Sequence, residues 1–277
     1  MDYQELGLHP QHQAFVDRFV QACRADDRIV AAFLGGSNVK GTADAYSDID
    51  LSLITTDEAY EDFFAGREAF LQLLGEPVFL EDFGIANIAF FIFSDGTEGE
   101  LYFGSESHLD HIHSGPFRPL LDKKNILSGA VFSEHDPAPA EQAEKLRREI
   151  YGFWHELSHF ITAMGRGQLW WAHGQLEALR SICVNLARLR NNFLDSGVGE
   201  EPYFKIEKSM PVEQLTPLQG TFAPMEENAL LKAGIAIVHF YRELAPPLAQ
   251  MHGLPYPQDL ERVMMDRLEK LSIVKGQ

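Results

Sequence analysis

Apolar positions recur with two different periods along this chain, and the change of period divides it. In the first half the apolar runs are short and often alternate with polar residues. Ala31 to Leu34 ends at Gly35 and Gly36 and reads as a buried strand. Ile49, Leu51 and Leu53 alternate with Asp48, Asp50 and Ser52, which predicts a strand with both aspartates on one face and its apolar residues on the other. Phe83 to Phe93 is rich in phenylalanine and isoleucine, Ser94 to Thr97 supplies turn chemistry, and Glu98 to Phe103 resumes the alternation. That order predicts a β-hairpin with Glu98, Glu100 and Tyr102 on one face and Leu101 and Phe103 on the other. A further strand falls near Val78 to Leu80. Pro10 to Arg24 carries Phe15, Phe19 and Val20 at helical spacing and is expected to cover the sheet, and Asp57 to Leu74 reads as a second helix. His108 to Leu127 has mixed character and receives no element.

Ser133 to Ala140 reads as the linker, since Pro137, Pro139 and a capping Asp136 interrupt the periodicity. After it the strand signal disappears. Glu141 to Met164, Leu169 to Phe193, Glu226 to Leu244 and Gln258 to Leu271 follow the helical period. The expected architecture is therefore an α/β domain over residues 1–136, followed by an α-helical bundle domain over residues 137–277. No internal repeat or low-complexity tract interrupts this plan.

Composition narrows the function. With 41 acidic against 23 basic residues the formal charge is −18, which argues against nucleic acid as a main partner, because phosphate binding needs a concentrated basic surface. A negative cleft suits a cationic acceptor, although acidic soluble proteins are common without one. Cys23 and Cys183 are too few for a disulfide framework and fit a reducing cytosol. Met1 to Pro10 has neither a basic start nor an apolar core, and no apolar run is long enough to span a bilayer, so the expectation is a cytoplasmic protein with no membrane partner. Oligomeric state is left open, a homodimer included.

Candidate chemistry concentrates between Phe33 and Leu51. Gly35 and Gly36 let the backbone approach a ligand and present amide donors to phosphate oxygens; Ser37 adds a hydroxyl and Lys40 a point charge. Two ionised carboxylates on one strand face repel each other, and a divalent cation offsets that repulsion. Magnesium takes oxygen ligands and keeps substrate phosphates in its shell, so Mg²⁺ with a nucleoside triphosphate, ATP or another, is the natural ligand for Asp48 and Asp50 beside a glycine-serine turn. Neither motif is specific alone; the combination G-S-x10-D-x-D between strands is. A third acid is expected from the neighbouring hairpin, and Glu100, further into its strand, is preferred to Glu98.

These residues resemble the polymerase-beta-like nucleotidyltransferases, and within them the antibiotic nucleotidyltransferases that modify lincosamides and aminoglycosides. The resemblance is carried by Asp27-Arg28-Ile29, by the run from Gly36 to Gly41, by Tyr46-Ser47-Asp48-Ile49-Asp50 and by Gly99-Glu100-Leu101-Tyr102-Phe103, where it is closest to the lincosamide enzymes. Phe153-Trp154 and Pro255-Tyr256-Pro257 resemble the streptomycin adenylyltransferases more weakly. The resemblance implies a polymerase-beta-like nucleotidyltransferase domain with a mixed sheet and flanking helices that transfers a nucleoside monophosphate, usually AMP from ATP, to a hydroxyl of a small-molecule acceptor, with pyrophosphate leaving. It also implies that Asp48 and Asp50 carry the metal and that Glu100 is the base. Gly35 departs from the pattern, since many relatives carry a bulkier residue there.

The second half holds a competing motif. His155-Glu156-Leu157-Ser158-His159 matches H-E-x-x-H, which in a zinc peptidase supplies two ligands and a base and needs a third ligand, for which Glu177 is available. That reading leaves the first-half motifs unexplained, so Trp154, His155 and Glu156 are expected to contact the acceptor instead. A third reading is a nucleotide-binding module without turnover. Trp154, Trp170 and Trp171 also suit a core, and Arg180, Arg188 and Arg190 are expected on a solvated face or paired with acids.

Overall fold

A computed structural model describes residues 7–133, 138–191 and 201–275. The chain divides into two compact units, Met1–His135 and Asp136–Gln277. In the first unit α1 (Pro10–Ala25) leads into β1 (Ile29–Leu34), the short helix α2 (Gly36–Lys40) and β2 (Ile49–Thr55). Then come α3 (Tyr60–Ala65), α4 (Arg67–Gln72), β3 (Pro77–Glu81), β4 (Ile88–Phe93), β5 (Glu98–Ser105) and β6 (Arg118–Asp122). One six-stranded sheet results, in the order β3-β4-β5-β2-β1-β6. It is mixed: β2 and β5 run parallel, and every other pairing is antiparallel.

Alternation along the strands decides what each face does. Phe15, Val16, Phe19 and Val20 of α1 pack with Ile29, Leu51, Leu53, Leu101 and Phe103 on one face. Burying each such large side chain contributes about 1.5–3 kcal/mol. Across the sheet, Val30, Phe33 and Ile54 pack with Ile112, Leu127 and Phe132 in a smaller cluster. Because the side-chain period is two, Asp50, Ser52, Glu100 and Tyr102 fall on this second face, away from α1.

Three local expectations change. The helix expected over Asp57–Leu74 is a 3-10 turn (Asp57–Ala59) followed by α3 and α4, which break at Gly66, the residue that most weakens a helix after proline. Phe83 to Asn87 stays outside β4, because Phe83, Gly84 and Asn87 take positive φ values of 50°, 73° and 66°, which no strand accommodates. The segment left without an element contains β6, whose Pro119 is tolerated because β6 lies at the sheet edge.

The second unit is helical: α5 (Pro139–Gly165), α6 (Leu169–Arg190), α7 (Ile206–Ser209), α8 (Val212–Gln219), α9 (Glu227–Met251) and α10 (Gln258–Lys275). Its core stacks Phe153 on Tyr241 at 3.7 Å between ring centres, and the Tyr241 hydroxyl donates to the Ile150 carbonyl at 2.9 Å. The short helices α7 and α8 had no sequence signal. α9 continues through Pro246 and Pro247, where the period had suggested a stop at Leu244. Pro247 removes the N–H that would meet the Glu243 carbonyl, and Arg190 Nη1 donates to that oxygen instead, at 3.4 Å. Arg180 and Arg188, expected in solvent or paired with acids, are only 2% and 3% exposed. Arg180 pairs with Glu177 and donates from Nε to Thr221 Oγ1 at 2.9 Å, while Arg188 donates to the Pro202 carbonyl at 3.0 Å. Residues 134–137 of the expected linker and the 192–193 end of the second expected helix lie outside the described residues. Among the described residues no helix is long and apolar enough to cross a membrane. Cys23 and Cys183 are both buried free thiols.

Candidate active site

Parallel pairing of β2 and β5 sets Asp50 directly opposite Glu100. The two carboxyls hydrogen-bond to one another on the face away from α1. Burial, then the charges of Asp50 and Asp48, push the Glu100 carboxyl up to about 7. Glu98, two residues earlier, is exposed and pairs with Ile92, so the inner acid of the strand is Glu100. Asp48 departs from expectation: β2 begins at Ile49, and Asp48 lies in the exposed approach to it, not on the strand face. Asn38 Nδ2 holds the Asp48 carbonyl at 3.0 Å, and Asn38 Oδ1 lies 3.3 Å from Nδ1 of the buried His12 on α1. Neither His12 nor Asn38 had been singled out from the sequence, because a polar residue on an otherwise apolar helix face carries no motif.

The glycine-serine segment is the start of α2, not an open turn. Gly36 takes φ +58°, and a Cβ there would lie 1.5 Å from Asp50 Oδ2, so the Asp50 carboxylate occupies the space a side chain would need. The Gly35 N–H donates to the Asp50 carbonyl at 2.9 Å, tying the loop to β2. Ser37 Oγ is buried without a hydrogen-bond partner, a cost of about 1–3 kcal/mol that an arriving acceptor oxygen would relieve. Lys40 is exposed and lines a cavity of about 230 Å³ together with Gly36, Asp50, Glu100, Tyr102 and His113.

His113 is the member of this cavity that sequence reasoning missed. Its ring fills the space above Gly35, where a Cβ would come within 2.7 Å of His113 Cε1. Phe33 and Phe132 hold the ring edge-on at 5.3 and 5.4 Å between centres. His113 Nε2 lies 3.1 Å from the Pro116 carbonyl, which can only accept, so Nε2 carries the proton and Nδ1 offers a lone pair. Burial first, and the charge of Lys40 as well, hold the imidazole below its usual range against the effect of the Pro116 bond. The one sequence signal was Gly35 itself, an absent side chain beside the Gly-Ser pair, which says that something bulky is near but not what.

The carboxylates, together with the orphaned Ser37 hydroxyl, suit a hard divalent cation and a phosphate ligand, because the acidic donors are all oxygen and stand close enough to raise the Glu100 carboxyl. In the helical unit the expectations divide. Trp154, expected beside an acceptor, is a core residue 1% exposed against Phe153 and Tyr241, which removes it as an acceptor contact. His155 is exposed and Glu156 half-buried on α5, and their ligand atoms lie with that of His159 within 4.8 Å of one another. Glu177, the acid available as a third zinc ligand, is bonded instead to Arg180 and, at 2.7 Å, to the Tyr203 hydroxyl. A cavity of about 870 Å³ in the helical unit includes Arg242 and Glu261, already paired at 2.7 Å.

Comparison with known proteins gives two findings. The family model described as streptomycin adenylyltransferase matches residues 11–271. Among solved structures, an aminoglycoside 6-adenyltransferase from Bacillus subtilis is similar with a TM-score of 0.47 and 16% identity, covering 95% of this chain and 99% of that one. No curated protein matches the chain.

Proposed function

The chain belongs to the streptomycin adenylyltransferase family and is a nucleotidyltransferase, and from that premise we propose that it joins AMP from Mg·ATP to a hydroxyl of an antibiotic-like small molecule. The observation that carries the site assignment is the register of β2 and β5, which puts Asp50 and Glu100 side by side beneath the glycine loop. Asp48 and Asp50 would hold Mg²⁺, which, when bound, screens the triphosphate charge. Gly36, Ser37 and Lys40 bind the phosphates through amide, hydroxyl and ammonium groups. His113 Nδ1 accepts a hydrogen bond from the nucleotide or its water shell at the same cavity wall. Glu100 takes the proton of the acceptor hydroxyl as that oxygen bonds to the α-phosphorus; the bond to the bridging oxygen breaks and pyrophosphate leaves.

The acceptor side of the reading assigns His155 and Glu156, two polar side chains of the helical unit, to acceptor recognition. The family supports an aminoglycoside acceptor, and the motifs from Gly36 to Gly41 and Gly99 to Phe103 support a lincosamide. The test is pyrophosphate release from each nucleoside triphosphate with Mg²⁺ across a panel of aminoglycosides and lincosamides. Acceptor-dependent release that disappears in Asp50→Asn establishes the reading; nucleotide binding with no release for any acceptor would instead support a module without turnover.

A further inference from the structure

We propose that His155, Glu156 and His159 form a second metal site, in the helical unit, for one divalent transition ion of the zinc class, with Glu156 as a ligand. The proposal goes beyond the nucleotidyl transfer: it concerns a different metal chemistry, and it gives His155 and Glu156, assigned above to acceptor recognition, the role of metal ligands together with His159. Two histidines four apart fall on one face of a helix, and their rings on α5 have centres 4.4 Å apart. Glu156 Oε2 lies 3.7 Å from His159 Nδ1, and one ligand atom from each of the three residues lies within 4.8 Å of the others. Ligands at about 2.0–2.2 Å around a tetrahedral ion stand roughly 3.3 Å apart, so side-chain rotations of about 1 Å complete the set without moving the helix.

A supporting layer holds the carboxylate. With its amide nitrogen toward Glu156, Gln175 donates to Oε2 at 2.6 Å, while its oxygen accepts from Trp171 Nε1 at 3.1 Å. Hydrogen-bonded ligating carboxylates of this kind are the usual outer layer of a metal site. Two imidazoles and one carboxylate select a borderline ion such as Zn²⁺, Co²⁺ or Ni²⁺ over Mg²⁺, which prefers oxygen throughout. The arrangement is not that of a peptidase, because the Glu156 carboxylate lies among the ligand atoms of the two histidines and Glu177, the further acid such a site would need, is occupied by Arg180 and Tyr203. A bound ion would fasten α5 to the Trp171–Gln175 turn of α6.

The test titrates the full-length protein with Zn²⁺ in excess Mg²⁺, which saturates the carboxylate site, and reads bound zinc by equilibrium dialysis and Co²⁺ binding by visible absorption. One equivalent is expected. His155→Ala and His159→Ala should each weaken it by at least ~10-fold, and Gln175→Leu by about 10-fold, the scale for an outer-layer partner. An Asp48→Asn/Asp50→Asn double variant should bind the ion as the wild type does. Absence of a bound equivalent overturns the proposal, as does zinc binding that survives both histidine substitutions or that disappears in the aspartate variant. His155 is exposed, so His155→Ala remains informative if His159→Ala fails to fold.

Discussion

The two units treat clustered carboxylates in opposite ways. In the first, Asp50 and Glu100 face one another with Asp48 nearby, and the result is a proton held on Glu100 up to a pH of about 7. In the second, the half-exposed Glu177 lies against a buried guanidinium, Arg180, which also binds Thr221, so the two opposite charges offset one another. Carboxyls gathered on one face and relieved by a retained proton mark a place that a cation can take over. Compensation within the fold marks a structural bond. The same contrast separates two cavities: the one of about 230 Å³ is lined by the adjacent carboxyls of Asp50 and Glu100, with Lys40 also on its wall, and the one of about 870 Å³ contains the closed Arg242–Glu261 pair.

Substitutions sharpen this difference, and the largest effect is expected at the metal pair. Asp48→Asn and Asp50→Asn should each lower transfer by about 10³-fold or more, since a metal supplies several kcal/mol of charge stabilisation. Neither should destabilise the metal-free protein, because each removes repulsion. Glu177→Gln should do the reverse: it leaves the buried Arg180 without its anion and costs about 1–3 kcal/mol of stability, seen in chemical denaturation. Equal stability losses in both units would break the comparison.

Next in size is the base. Glu100→Gln keeps the shape but takes no proton, so the chemical step should fall by about 10²-fold or more while ATP affinity changes little. Glu98→Gln, exposed on the same strand, is the control and should be mild. Single-turnover measurement separates the two steps, and reversal of the two results would move the base to Glu98.

A smaller effect concerns pH. Glu100 is raised from an ordinary 4.5 to about 7 in the folded metal-free protein, so the folded state binds the extra proton between those values. The stability this provides is complete below about 4.5 and is lost as pH rises through about 7. Denaturant midpoints of metal-free protein from pH 5 to pH 8 should therefore fall, and Glu100→Gln should remove that part of the slope. A slope unchanged by the substitution would assign it to other groups.

The smallest effect is at the cavity wall. Gly35→Ala must displace the His113 ring, so it and His113→Ala should each raise the KM for ATP by about threefold to tenfold, the scale of one hydrogen bond, with kcat changed less. If Gly35→Ala is silent while His113→Ala is not, the ring does not need the space above Gly35.

Much of the site was legible before the structure because its signals are local. Alternation around Asp50 and around Glu100, the turn at Ser94–Thr97 and the glycines before Ser37 each lie within a few residues, and local period and turn chemistry act at that range. The change from strand to helix period likewise determined a sheet domain followed by helices, whereas the parallel pairing that makes the sheet mixed was not in the period. Tertiary structure alone decided the rest. Only the register of β2 and β5 brings Asp50 to Glu100, only the return of the chain before β6 lays His113 over Gly35, and only packing against Thr221 and Pro202 turns arginines of an apparently solvated stretch into buried bonds. These contacts join residues distant in sequence, where no periodicity can encode the pairing and the free energy of burial selects it.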